Sequence, residues 1–363
     1  MESSAIVYSE NEFGNLDGKV ANGLVRHSAK YNIVGVIDST KKGLDAGEYL
    51  DGAKSGIPVF KDLHQAIDQL DTVPDYFIYG IAPLKPLLSD EEKEVIYMAI
   101  KAGMNIINGL PEFLSDDLNC ATLAKKYGVS ILDVRKPPSK EFLHSFTGRI
   151  KDVKTAVITV LGTDCAVGKR TTALKLVEAL QADGLKAIFI TTGQTGILQG
   201  SKYGIAIDVL SSGFATGEVE NAILEALKEE PDIIVVEGQG ALSHPAFTSS
   251  SAIIRGAMPK AIILQHPPKR TARCDFPNIP MPTIESEIKM LEVFSGAKVI
   301  GITINHEGME DKEIETVTAE YEEKYHLPTT DVLKNDCSKL IEKLYDVFPD
   351  LINIKPSLWQ PQD

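Results

Sequence analysis

The chemistry of this chain concentrates at Gly162, Gly168 and Lys169, inside VITVLGTDCAVGKRTTALKLVEAL. A β-branched run, Val157 to Val160, enters a glycine-bounded loop, which opens directly into a helix with apolar residues at Ala173, Leu174, Leu176, Val177 and Leu180. Strand, glycine loop, lysine and helix together make a phosphate-binding loop (P-loop), whose backbone N–H groups point inward at an anion. The helix N-terminus adds partial positive charge, and Lys169 adds a full one. The expected occupant is a di- or triphosphate held along Gly162, Thr163, Asp164, Cys165, Ala166, Val167, Gly168, Lys169, Arg170, Thr171 and Thr172.

The loop departs from the common form, in which four residues separate the glycines and a Ser/Thr after the lysine ligates Mg²⁺. Here five residues intervene, Arg170 follows Lys169, and the hydroxyls come at Thr171 and Thr172. One helical step turns a side chain by about 100°, so Thr171 cannot simply take the usual magnesium position.

Further polar groups cluster at the ends of apolar runs. Ile233 to Val236 read as a buried strand with Glu237 at its carboxyl end, the edge where open α/β sheets bind ligands. Glu237 can hold a metal, a water or a substrate amine, or simply cap the turn Gly238-Gln239-Gly240. His244 follows in the same loop as a candidate base or, when charged, a carboxylate ligand. Thr192, Gln194 and Gln239 offer donors to a polar ligand. Asp208 lies in the mostly apolar GIAIDVL, where an acid is expected to be either buried and paired or functional. QHPPKRTARCD places His266, Lys269, Arg270 and Arg273 just after a strand end as a candidate carboxylate or phosphate anchor, a solvated basic loop being the alternative.

The elements that must position these groups alternate along the chain. Strands are expected at Ala5–Tyr8, Ile33–Ile37, Ile57–Phe60, Tyr76–Ile81, Asn105–Asn108 and Ser130–Val134, with helices from Leu16 and from the capping box at Ser89. This alternation specifies a parallel sheet covered by helices, domain 1–136. The first strand lacks a GxGxxG turn, so a dinucleotide site is not supported. Asp38 ends the second strand, where a ribose-binding acid would sit; a solvated loop acid is the expectation. Residues 137–154, opening on Pro137-Pro138, read as a linker that carries a surface histidine, His144.

Domain 155–352 repeats the alternation, with strands at Val157–Val160, Ala187–Thr191, Ile233–Val236, Ala261–Leu264 and Val299–Ile304. Its helices are expected from Gly168, Thr216, Ile284, Asp311 and Ser338, and residues 353–363 read as an extended tail.

Composition sets the outer bounds. The chain has 363 residues, is 43% apolar and carries a net charge of −14, which argues against nucleic acid or an anionic membrane as partner. An anionic ligand must then be held by local positive groups. The four cysteines, Cys120, Cys165, Cys274 and Cys337, contain no CxxC pair and fit neither a zinc site nor a disulfide framework. A cytoplasmic protein, with no targeting segment and no membrane span, is the expectation, and a homo-oligomer, dimer or higher, is the commonest assembly for such chains.

With these residues in view, GTDCAVGKRTT resembles the P-loop of the dethiobiotin synthetase group, which also places five residues between its glycines, and VVEGQG resembles that group's strand end. The whole chain resembles the DgcN-like family of D-glutamate N-acetyltransferases more closely. The matching segments are GTDCAVGKRTTAL, TTGQTG, IDVLSSGFATGEVE, VVEGQGALSHPAF, the sheet-end pattern near Gly301 to Asn305, AIKAGMNIINGLPEFLSDD and LDVRKPP. The resemblance implies a Rossmann-like parallel-sheet N-terminal domain followed by a P-loop doubly wound domain, with acetyl-CoA as donor and an acidic amino acid as acceptor. Family members tend to carry an acid before the phenylalanine of IDVLSSGF, whereas Gly213 precedes Phe214 here.

Two reactions suit these residues. As an acyltransferase, the chain would hold the phosphates of acetyl-CoA on the loop, with no need for a magnesium ligand. Glu237, Asp208 or His244 would take the proton of the acceptor amine, backbone N–H groups or Gln239 would stabilise the oxyanion, and His266, Lys269 or Arg270 would hold the acceptor carboxylates. As an ATP-dependent kinase or ligase, it would use Lys169 on the β/γ-phosphates, with Asp164, Thr171 and Glu237 on Mg²⁺. The motifs alone favour the second slightly; the resemblance favours the first.

Overall fold

A computed structural model describes residues 3–82 and 87–354. The chain divides into two compact units: residues up to Pro138 together with Gln194–Ser201, and Ser139–Gly193 together with the residues from Lys202 on. Both are α/β with all-parallel main sheets, as the alternation requires. The tail expected at 353–363 lies, from residue 355, outside the described residues.

The first unit contains β1 (Ser3–Tyr8), α1 (Lys19–Arg26), β2 (Tyr31–Ile37), α2 (Ala46–Asp51), β3 (Val59–Phe60), α3 (Leu63–Gln69), β4 (Tyr76–Tyr79), α4 (Asp90–Lys101), β5 (Asn105–Asn108), α5 (Leu118–Tyr127) and β6 (Ile131–Asp133). The sheet order is β3-β2-β1-β4-β5-β6, the doubly wound order of dinucleotide-binding domains. The capping box at Ser89 forms as expected: Ser89 accepts from the Glu92 N–H and Glu92 from the Ser89 N–H.

Asp38 is not a solvated acid. It is fully buried, and its carboxylate accepts from the backbone N–H groups of Phe13 (3.1 Å) and Thr40 (2.9 Å) and from the Thr40 hydroxyl, with Lys41 Nζ at 3.2 Å. The chain's own loops thus take the oxygens that a ribose would need.

The second unit contains β7 (Ala156–Gly162), α6 (Lys169–Ala182), β8 (Ala187–Thr191), α7 (Gln194–Leu198, which packs as part of the first unit), β9 (Tyr203–Gly204), α8 (Ser212–Ala226), β10 (Ile233–Glu237), α9 (Ser249–Ala257), β11 (Ala261–His266), β12 (Ala272–Arg273), β13 (Phe276–Pro280), α10 (Ile284–Ser295), β14 (Lys298–Ile304), α11 (Asp311–Tyr325), β15 (Thr329–Thr330) and α12 (Ser338–Val347). The sheet runs β15-β14-β11-β7-β10-β8-β9, so β7, which feeds the P-loop, is central and paired on both sides.

Alternate residues of β7 enter opposite cores: Val157 and Leu161 pack with residues of α8, α9 and α10, and Ile158 and Val160 with residues of α6 and α12. A strand buried on both faces reads as an unbroken apolar run, and each such side chain contributes roughly 1.5–3 kcal/mol on burial.

Several elements differ from the sequence expectation. Helix α8 starts at Ser212 rather than Thr216, because Ser211 is still extended (φ −64°, ψ 150°) and Gly213 sits within the first turn. Helix α9 carries three serines at its start, which weaken its local signal; Ile253, Ile254 and Ala257 seat it in the core. The antiparallel pair β12–β13 forms although β13 contains two prolines. Residues before β7 are strapped to α8 by buried acids: Glu218 accepts from the His144 backbone at 2.5 Å, and Glu220 from the Thr147 and Ile150 backbones at 2.5 and 3.1 Å.

Candidate active site

The P-loop leaves β7 at Gly162 and turns into α6 at Lys169 through two left-handed residues, Ala166 (φ +49°) and Gly168 (φ +102°). Its carbonyls are gripped by side chains from elsewhere in the unit. Thr163 O accepts from Arg273 at 2.5 Å, Asp164 O from Lys169 Nζ at 2.5 Å and Cys165 O from Arg270 at 2.8 Å. Ala166 O accepts from Arg270 at 3.3 Å, and Val167 O from Asn305 Nδ2 at 3.1 Å. A trans peptide sets each N–H opposite its C=O. The amides of Asp164, Ala166, Val167 and Gly168 therefore point away from the guanidinium and carboxamide groups that hold the neighbouring carbonyls, as an anion-binding nest requires.

Lys169 is 5% exposed, and burial holds its ammonium below the usual lysine range, with Cys165, Asp164, Cys274 and Glu237 acting the other way. The hydroxyls beyond it are placed unlike a magnesium ligand's. Thr172 is buried and donates to Gln265 Oε1 at 2.5 Å, an oxygen that also accepts from Thr303 at 2.5 Å. Thr171 and Arg170 are partly buried on the first turn of α6.

Beneath the loop, Asp164 is fully buried. Its Oδ2 accepts from Arg270 at 2.9 Å and from the Cys274 backbone at 2.8 Å. Its Oδ1 faces His244 Nε2 at 3.6 Å and Arg273 at 3.7 Å, too far for direct hydrogen bonds.

His244 is 6% exposed, stacked on Phe247, and held below the usual histidine range by burial and by Arg273. Its Nδ1 accepts from the Ala246 N–H at 3.2 Å, so in the neutral ring the proton sits on Nε2. As placed, the ring offers the site a donor at Nε2, not a base.

Glu237 is buried at the end of β10, beside Val160 of β7. Its Oε2 accepts from the Thr191 hydroxyl at 2.6 Å and the Thr192 N–H at 3.2 Å, and its backbone oxygen from the Thr192 hydroxyl at 3.0 Å. Gln239 Nε2 donates to Thr192 O. Glu237, Thr192 and Gln239 thus form one hydrogen-bonded edge, whereas Gln194 belongs to the first unit. Gly238 is required there, since a Cβ would come within 2.3 Å of Val160 O.

Asp208 is not buried: Ile207–Val209 form a short 3-10 turn that exposes it, anchored by the Ile207 N–H on Thr192 O at 3.0 Å.

The four-member basic group divides in the fold. Arg270 spends its guanidinium on Glu307 (two bonds of 2.7 Å), Asp164 and the loop carbonyls. Arg273 is 4% exposed and reaches Ser243 Oγ at 2.8 Å; Ser243 in turn donates to the fully buried Glu287. His266 meets the Thr163 hydroxyl at 2.8 Å and is driven down to about 4, by burial first and by Arg270 second, so it is neutral near pH 7. Lys269 alone of the four is exposed, paired with Glu313 at 2.5 Å.

Gln265, Glu307 and Glu287 carry no local signal in the sequence, because each acts through a partner distant along the chain.

Among the described residues two side-chain groups come close enough to share a cation: Asp164, Cys165 and His244, and Cys165, Cys274 and Asp275, with ligand atoms within 4.8 Å of one another in each. The proton on His244 Nε2 argues against ligation by the first.

The chain matches two models of one family. The P-loop domain of DUF1611, a domain of unknown function, matches residues 144–341, and its Rossmann-like N-terminal domain matches residues 39–137. Two curated proteins, from a Pseudoalteromonas species and from Tritonibacter scottomollicae, each carry the name D-glutamate N-acetyltransferase. Both are 30% identical over 274 residues, 74% of this chain and 80% of theirs. The crystal structure of a DUF1611 family protein from Anabaena variabilis superposes with a TM-score of 0.87 at 28% identity, over 95% of this chain and 100% of that one. No helix among the described residues is long and apolar enough to cross a membrane.

Proposed function

The chain belongs to the DUF1611 family, and from that premise we propose that it is an N-acetyltransferase moving an acetyl group from acetyl-CoA to the amine of an acidic amino acid, D-glutamate first. The observation that carries this reading is the kinship, over 74% of the chain, to proteins named for that activity, joined to a P-loop without a hydroxyl in the usual magnesium position. Acetyl-CoA carries a diphosphate that needs binding and no hydrolysis, so an amide nest and Lys169 suffice for it. The residues that would gather Mg²⁺ in the ATP reading do not fit that role: Thr171 is displaced by Arg170, Glu237 is committed to Thr191 and Thr192, and Asp164 is held by Arg270 and the Cys274 N–H.

The pantetheine arm carries the thioester well away from the diphosphate. Groups packed around the loop, His244 and Glu237 among them, then serve the CoA end. Asp208, exposed on a turn hung from Thr192, is the candidate base. The amine nitrogen attacks the thioester carbonyl, its proton passes to the Asp208 carboxylate, the C–N bond forms, the C–S bond breaks and CoA leaves as the thiol once reprotonated. Lys269, the exposed cation of the basic segment, is the candidate contact for an acceptor carboxylate.

Calorimetry with acetyl-CoA, and with ATP with and without Mg²⁺, tests the assignment, alongside an assay for free CoA thiol in the presence of D-glutamate. Acetyl-CoA binding and D-glutamate-dependent thiol release support it. Binding of ATP only with Mg²⁺, without binding of acetyl-CoA, would replace it with the kinase or ligase reading.

A further inference from the structure

The four cysteines separate into two kinds. Cys120 and Cys337 are buried, at 0% and 3% exposure, and burial pushes their thiols up to about 12 and about 11. Such thiols are poor nucleophiles. Cys165 and Cys274 are both partly exposed, and they meet. Cys165 lies in the P-loop and Cys274 in the turn between β12 and β13; their sulfurs and the Asp275 carboxylate are within 4.8 Å of one another. The contact is built in, because the Cys274 N–H is anchored on Asp164 Oδ2 at 2.8 Å, one residue from Cys165.

The two thiols are also differentiated. Contact with Cys274 and the nearby Lys169 hold the Cys165 thiol below the usual range against burial, while contact with Cys165 and burial push Cys274 up. A partly exposed thiolate beside a second cysteine is the arrangement of an oxidation-sensitive pair.

We propose that Cys165 and Cys274 form a modification site for hydroperoxides, with Cys165 as the nucleophile and Cys274 as the resolving thiol. The Cys165 thiolate attacks the O–O bond, taking one oxygen as a sulfenic acid while the other leaves as hydroxide or alkoxide and is protonated. Cys274 then attacks the Cys165 sulfur, the S–S bond forms and water departs with the Cys274 proton. Two electrons pass from the thiol pair to the peroxide. The disulfide would join the P-loop covalently to the segment after β11 that already grips it through Arg270 and Arg273. This inference does not depend on which anion fills the loop.

The test treats the full chain, freshly reduced, with stoichiometric hydrogen peroxide, blocks remaining thiols with N-ethylmaleimide and maps the peptides without reductant. The expected product is an intramolecular Cys165–Cys274 link, reversed by dithiothreitol, with Cys165 reacting on the order of tenfold or more faster than Cys120 or Cys337. Cys274→Ser should yield a Cys165 sulfenic acid that dimedone traps, with circular dichroism confirming the fold. Cys165→Ser should leave Cys274 unmodified. Prior reaction at Cys120 or Cys337, links only between chains, an unreactive Cys165 in folded protein, or stoichiometric zinc bound to the pair would each overturn the proposal.

Discussion

Arg270 and Asp164, 106 residues apart in sequence, pair at 2.9 Å under the P-loop with side chains 8% and 0% exposed. The same guanidinium holds the carbonyls of Cys165 and Ala166 and is itself held by Glu307. The pair converts a flexible glycine loop into one whose peptide planes are set before any anion arrives.

Arg270→Ala strands a buried carboxylate and frees two loop carbonyls. Removing one partner of a buried ion pair costs roughly 3–5 kcal/mol; Arg273 and the Cys274 amide still face Asp164, so the expected loss is about 3 kcal/mol. Urea denaturation measures it. Arg270→Lys keeps the charge but loses the fork, so it should recover some of the stability yet bind the polyphosphate ligand more weakly than wild type.

Lys169→Ala tests the loop directly. The ammonium is buried and desolvated and rests on Asp164 O until an anion takes it. Its loss should weaken binding of the preferred polyphosphate by at least about tenfold, ~1.4 kcal/mol, with little loss of stability because a buried charge is removed with it. Calorimetry that finds the affinity unchanged takes the loop out of the mechanism.

How much of this was legible beforehand follows from distance along the chain. Strand, glycine loop, Lys169 and helix lie contiguous between Ala156 and Ala182, and the parallel alternation of both units follows from local runs of apolar residues. The clasp was not legible. Arg270, Arg273, Asn305 and Gln265 reach the loop from β11, the segment beyond it and the residues after β14, and nothing local distinguishes a guanidinium that supports backbone from one that waits for a ligand. Asp208 illustrates the converse. Its apolar neighbours mark an acid that is either buried and paired or functional, and a single 3-10 turn rotates it outward. The Cys165–Cys274 contact depends on a turn whose strands the prolines at 277 and 280 obscured.

His266 should make stability depend on pH. Its folded value, about 4, lies below the unfolded value near 6.5, so the unfolded chain binds more protons between the two. The neutral form's contribution is complete above about pH 6.5 and is lost as pH falls towards 4, a change of about 3 kcal/mol for this group. Denaturation midpoints measured from pH 7 to 4 should fall more steeply in wild type than in His266→Gln, which keeps a hydrogen-bonding group beside Thr163 but cannot titrate. Parallel curves would show that the ring is protonated in the fold or solvated.

The resemblance to the DgcN-like family implies an acid before Phe214, where this chain has Gly213. Gly213 lies exposed in the first turn of α8, and a Cβ built there meets nothing within 4 Å. The fold therefore has room for the acid, and a carboxylate near a helix N-terminus gains roughly 0.3–1 kcal/mol, so Gly213→Asp should leave stability within about 1 kcal/mol of wild type. The consequence falls on the acceptor. If a carboxylate at this position grips a substrate amine, restoring it should lower KM for D-glutamate and leave KM for acetyl-CoA unchanged. Steady-state kinetics over a panel of acidic and neutral amino acids checks this. An equal change in both constants, or none, would place the determinant of acceptor choice away from the start of α8.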